Sequence, residues 1–378
     1  MSASPPNKPT STNRSVWRLA WPNILSNLLF TTVGLLHIKI VAQLGTTSVA
    51  AVTTGHRVFF LIQAILMGVS VASTAMVARS WGAQQAKQAE IVTWTSIVIS
   101  VALAAVLSIP ILLAPEAIAG IFGLDKETTA LAASFIFWLG LFNVFSAISM
   151  MLSTALRATG NVITPLWFLL FSSIFNVTFA YLLAFGIGPL PKLGVTGVSL
   201  GGSFGASIIT MIFFFAWWRG HFNLKPTKRK SIDWATSKQM IKIGLPPVAE
   251  QGIVQLAFLA FFAIVAHYGT AAYASYGIGI TLVAFPIVIG FGFGIATATL
   301  VGQQMGAGEP DLAVLAVARS LRMALASMIL LSILLATFAE ELARFMIDDP
   351  EVIELTIVFM YLIALAQPLM ACEFTLGG

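Results

Sequence analysis

The chain runs as long apolar stretches divided by short polar breaks. Ten stretches are long enough to cross a bilayer, at about 16–42, 49–78, 91–114, 129–153, 164–186, 195–218, 243–266, 271–301, 313–337 and 352–377. A spanning helix needs about 20 mostly apolar residues. These runs are too long and too continuously apolar for barrel strands, which alternate over about ten residues. The pattern predicts an all-α integral membrane protein. Composition agrees, with 58% hydrophobic and 9% charged residues among 378. A soluble domain carries about 25% charged residues, and a soluble chain this apolar could not cover its surface.

The opening segment MSASPPNKPTSTNR is rich in Pro, Ser, Thr and Asn, so residues 1–15 read as a disordered N-terminus. It lacks the apolar core and small-residue cleavage site of a secretory signal. Lys and Arg then set the orientation. With the N-terminus cytoplasmic, the inner side holds Lys8, Arg14, Arg18, Arg79, Lys87, Arg157, Arg319, Arg322 and the basic segment 219–242. The outer loops hold only Lys126, Lys192 and Arg344, among Glu116, Asp125, Glu127, Glu340, Glu341, Asp348, Asp349 and Glu351. The segment 219–242 therefore reads as a cytoplasmic linker rather than a nucleic-acid site. It divides an N-lobe, 16–218, from a C-lobe, 243–378. Cys372 is the single cysteine, so no disulfide or cysteine metal site supports the fold.

The halves repeat. Shifting the chain by 224 positions (246 − 22) pairs Pro22 with Pro246, Gly45 with Gly269 and Gly68 with Gly292. It also pairs WGAQ at 81 with MGAG at 305, Glu116 with Glu340, Asp125 with Asp349 and Glu127 with Glu351. Glycine, proline and acid matches in one register are not cheap in so apolar a chain. The first repeat holds six predicted helices, an even number, so both repeats enter the membrane in the same direction and are related by an axis along its normal. Position 378 pairs with Thr154, so counterparts of the fifth and sixth helices are missing. The expected architecture is two parallel-repeat lobes, six helices plus four of an expected six, either because the sequence is cut short at its C-terminus or because the second lobe is a real short form.

Ionisable side chains inside spans are functional candidates, since each costs roughly 2.5–3.5 kcal/mol at the bilayer centre. On the first helix, Asn23, Ser26, Phe30 and His37 fall within about 60° of one another, a polar stripe suited to line a cavity. Lys39 falls on the opposite face and can snorkel. Histidine is the side chain whose charge changes near neutral pH, so His37 is a candidate for ion coupling or substrate contact. Three acids fall within predicted spans; Glu354 stands at the very start of the tenth, while Glu250 and Glu373 lie deeper and are expected to share a C-lobe site. Gln251 and Gln255, with Asn143 and Asn176 as N-lobe analogues, are further candidates for lining the cavity; each also suits an interhelical hydrogen bond.

With WPNILSNL opening the first helix, AQLGTTSVAAV after it and GVSVASTAMVARSWGAQQ ending the second, the chain resembles the multidrug and toxic compound extrusion (MATE) transporters. STALRATGNVITPL and IKIGLPPVAEQ add to the match, which covers essentially all of 16–378. The resemblance implies twelve helices in two lobes and exchange of drugs or other organic, often cationic, solutes for protons or sodium ions. It implies a multi-pass protein of the plasma membrane (the bacterial inner membrane), working as a monomer, with no cofactor beyond the coupling ion and with solutes and lipids as its partners. Many members of that family carry an ion-binding aspartate where this chain has His37, a second at Ala180, and a carboxylate near Val254 or Gln255. No GxSxG, HExxH or P-loop pattern is present, so an enzyme is not expected. A flippase for a lipid-linked precursor is the alternative, together with an inactive fragment.

Overall fold

The computed structural model describes residues 12–227, 233–347 and 349–377, and these are almost wholly helical. α1 (Thr12–Ala42), α2 (Thr46–Gly82), α3 (Ala86–Leu113), α5 (Lys126–Ala158), α6 (Ile163–Phe185) and α7 (Val195–Trp218) are long, and α4 (Pro115–Gly120) is short. After the basic segment come α8 (Trp234–Ala266), α9 (Thr270–Gly306), α10 (Pro310–Thr337), the short α11 (Ala339–Met346) and α12 (Pro350–Gly377). Among the described residues nine helices are long and apolar enough to cross a membrane; α8 stands where the remaining predicted span was placed. Their outward faces are apolar: Leu365 is 78% exposed and Leu369 73%. Faces this apolar suit contact with lipid or with further membrane helices rather than with water.

Three sequence expectations change. Helix α1 already includes Thr12 to Ser15, which had been assigned to a disordered tail, while residues 1–11 lie outside the described part. Helix α8 starts at Trp234, so residues 234–242 of the basic segment are helical rather than linker. Its start is capped by Asp233, whose carboxylate accepts from the Thr236 N–H at 3.1 Å, the local signal for a helix N-terminus. The short α4 and α11 were not foreseen.

The repeat is visible in the backbone itself. Adding 224 to the first residues of α2, α3, α4 and α5 gives those of α9, α10, α11 and α12, and Ala42 at the end of α1 maps onto Ala266 at the end of α8. The turns correspond too. Gly45 and Gly269, each preceding its helix, hold φ of 112° and 99°, which favours glycine. Gln84, at φ 58°, occupies the turn position that Gly308 fills at φ 77°. Asp125 caps α5 by accepting from the Thr128 N–H at 3.0 Å, and Asp349 accepts from the Val352 N–H at 3.3 Å.

Two compact units result, and their limits fall inside helices. The first unit is Leu28–Ala249; the second joins the chain up to Asn27 with Glu250 onward. In the first unit, Gly68 of α2 lies against Gly244 and Val248 of α8. In the second, Gly292 of α9 lies against Ile24 of α1. Position 24 maps onto 248 and 68 onto 292, so each repeat lends the opening half of its first helix to the other unit. The first unit is built around Leu66, Phe135, Ile136, Ala180 and Val198 and, elsewhere, around Met151, Leu156, Phe213 and Trp217. In the second, Leu282, Leu335 and Met360 pack together.

Candidate functional site

His37 lies five residues before the end of α1 (42 − 37) and is 6% exposed. Its Nε2–H donates to Oδ1 of Asn176 on α6 at 2.7 Å. The backbone allows this contact because α6 and α7 pack unusually closely. Gly197, Gly201 and Gly205 recur every four residues on α7, and a Cβ at each would collide with the α6 carbonyls of Leu183, Phe179 and Phe175. Small residues at that spacing let two helices meet backbone to backbone in a membrane. The adjacent Gly202 packs directly on the pair: a Cβ there would stand 3.2 Å from Asn176 Oδ1 and 3.3 Å from His37 Cε1.

A residue that sequence reasoning passed over joins the cluster. His56 on α2 stacks on His37 with ring centroids 5.7 Å apart and planes 14° from parallel. Phe135 of α5 meets His56 edge-on at 5.4 Å, and Gly55 beside His56 leaves the space the Phe135 ring fills. The sequence does carry a signal, since His56 and Arg57 are ionisable residues within the second apolar run. Five helices thus meet around two imidazoles. His37 Nδ1 is buried and has no hydrogen-bond partner among the described residues. The arrangement can hold or release a proton at a defined nitrogen.

The polar stripe itself divides. Asn23 and Ser26 are buried and turn back onto their own helix, bonding Leu19 O at 2.8 Å and Pro22 O at 2.7 Å. Phe30 is 58% exposed, so the expected continuous lining face from Asn23 to His37 is interrupted there. Asn143 is fully buried and donates to Ala104 O and Ser108 Oγ of α3 at 3.4 and 3.3 Å, an interhelical hydrogen bond. Glu250 and Glu373 are both exposed and belong to the second unit. Neither carboxylate has a hydrogen bond or ion pair with a described residue, and no contact brings the two together. Gln251 and Gln255 are half-buried on α8.

The family model MatE matches residues 22–182 and 246–378, two segments whose starts are 224 apart. The chain belongs to the MATE family. It is a multi-pass membrane transporter, not an enzyme. It is 25% identical over 369 residues to the probable multidrug resistance protein NorM of Thermotoga maritima, covering 96% of this chain and 78% of that protein. It is also 25% identical over 345 residues to the FAD transporter of Shewanella oneidensis, covering 90% and 76%. A crystal structure of MATE in complex with MaD5 superposes with a TM-score of 0.88 at 19% identity, covering 98% of this chain and 84% of that one. The outward-facing conformation of a multidrug resistance MATE family transporter gives 0.87 at 19%, covering 98% and 85%. Against the MATE pattern the departures have a structural form. Ala180, where the resemblance implied an aspartate, is fully buried among apolar neighbours, and His37, the other position where it implied one, lies beside Asn176.

Proposed function

We propose that this MATE protein is a secondary active efflux transporter, exporting drugs or other organic, often cationic, solutes in exchange for protons or sodium ions. The observation that carries the reading is the presence of titratable groups inside apolar helices: His37 on α1, Glu250 on α8 and Glu373 on α12. Groups of this kind mark ion and substrate paths. Protonation of one or more of them changes affinity for an amphipathic cation, and the two parallel repeats provide alternating access. Asn176, Gln251, Gln255 and Asn143 supply hydrogen bonds along the path or behind it. The lysine and arginine distribution supports a cytoplasmic N-terminus in a bacterial inner membrane. Relatives named for multidrug resistance support the solute class, and the relative named as an FAD transporter puts FAD in the test panel.

Ethidium accumulation in exporter-deficient cells tests the reading. Wild type keeps ethidium low while the membrane is energised. His37→Ala, Glu250→Gln or Glu373→Gln raises it towards the empty-vector level wherever the coupling group has been removed. Gradient-dependent efflux unchanged in all three variants would take these residues out of the mechanism.

A further inference from the structure

We propose that His37 and His56 form a single proton site, entered through His56, and that this imidazole pair serves the first unit in place of a carboxylate. The coupling role rests on the transport reading above; the proton site stands on geometry alone. From Leu28 to Ala249 the chain has five carboxylates, Glu90, Glu116, Asp125, Glu127 and Asp233. Glu90 and Glu127 lie in the first two turns of α3 and α5, Glu116 lies in the short α4, and Asp125 and Asp233 immediately precede helices. None stands in the interior of α1, α2, α6 or α7. Among side chains that change charge near neutral pH, only the two imidazoles occupy the interior of this unit's long helices.

The surroundings specify the ion. α5, α6 and α7 present Phe135, Asn176 and Gly202 to the pair, all uncharged. The fixed cations on the pair's own helices, Lys39 on α1 and Arg57 on α2, are both exposed. A sodium ion would want several hard oxygen ligands, as other hard cations do, and Asn176 Oδ1 is already taken by His37. A proton needs one lone pair. Because Asn176 Oδ1 accepts from Nε2–H, His37 Nδ1 carries that lone pair, buried and without a partner among the described residues. A proton added there forms the Nδ1–H bond as the O–H bond of the hydronium ion that delivers it breaks; the Asn176 bond stays in place and becomes charge-assisted. His56 is the half-buried member of the pair and His37 the buried one, which gives the direction of entry. Two imidazolium charges stacked 5.7 Å apart repel, so the pair holds one added proton at a time. The repeat equivalents are Phe261 and Ile280, so the site belongs to one repeat only.

The test is ring-nitrogen NMR of the histidine-labelled full chain in micelles, from about pH 5 to about pH 8. His37 and His56 are expected to titrate as a coupled pair. His56→Phe, which keeps the aromatic stack, and His56→Gln each move the His37 midpoint by about one pH unit, while His221→Gln moves neither. Midpoints that ignore the partner's removal, or rings that do not titrate in this range, overturn the proposal. In parallel, ethidium movement in proteoliposomes is driven by a pH gradient or by a sodium gradient. His56→Phe is expected to lose the pH-driven rate. Uncoupled titration with intact pH-driven efflux in His56→Phe overturns the pair and leaves the transporter reading standing. No efflux under either gradient removes the transporter reading, while coupled titration still supports the proton site.

Discussion

Asn176 pairs with one nitrogen of His37 and leaves the other bare, and most of the site's chemistry follows from that asymmetry. Removing the acceptor in Asn176→Leu leaves a buried N–H unsatisfied, at a cost of ~1–3 kcal/mol. Ethidium efflux is then expected to fall about tenfold; the initial rate, with the melting temperature beside it, checks this. His37 could be found from the sequence because a titratable residue interrupts an apolar run. His56 carried the same signal. Their stacking was not legible, since it depends on how α1 and α2 rotate about each other, which composition does not encode. Nor does anything bring Glu250 and Glu373 together, because shared depth along two helices is no guarantee of a shared face.

At the scale of elements, the close α6–α7 contact makes a sharp contrast between glycines. Gly201→Ala drives a Cβ into the Phe179 carbonyl and should destabilise by ~1–3 kcal/mol. Gly252→Ala on α8 meets nothing within 4 Å and should be neutral or mildly stabilising. Thermal unfolding in detergent separates the two. The caps give a pH signature. The Thr128 hydroxyl, at 2.6 Å, and its N–H hold the Asp125 carboxylate below the usual range. A lowered folded-state value means the contribution is present above that range and lost as pH falls through it. Asp125→Asn should therefore lower the melting temperature at neutral pH, with the gap closing in strong acid. Helix positions were legible from apolar run length alone. The short α4 and α11 were not, because six and eight residues leave too little periodicity to see.

Over the whole molecule, the duplication read from scattered Gly, Pro and acid matches reappears as paired helix bounds, paired turns and the paired contacts Gly68–Val248 and Gly292–Ile24. The sequence placed its division at the basic segment, where charge and polarity change. The compact units divide instead within α1 and α8, where no composition change marks the chain. Packing decides such limits, and a proline in the opening half of each helix is the only trace. We propose that this MATE chain, lacking the expected aspartates, exchanges an organic cation for a proton, using His37. Proteoliposomes holding the purified full chain, with a pH-sensitive dye and a sodium-sensitive dye, test it when ethidium is added to one side. Opposing proton movement that is lost in His37→Ala and absent from empty vesicles is the expected result. Ethidium crossing with no opposing proton flux would overturn it.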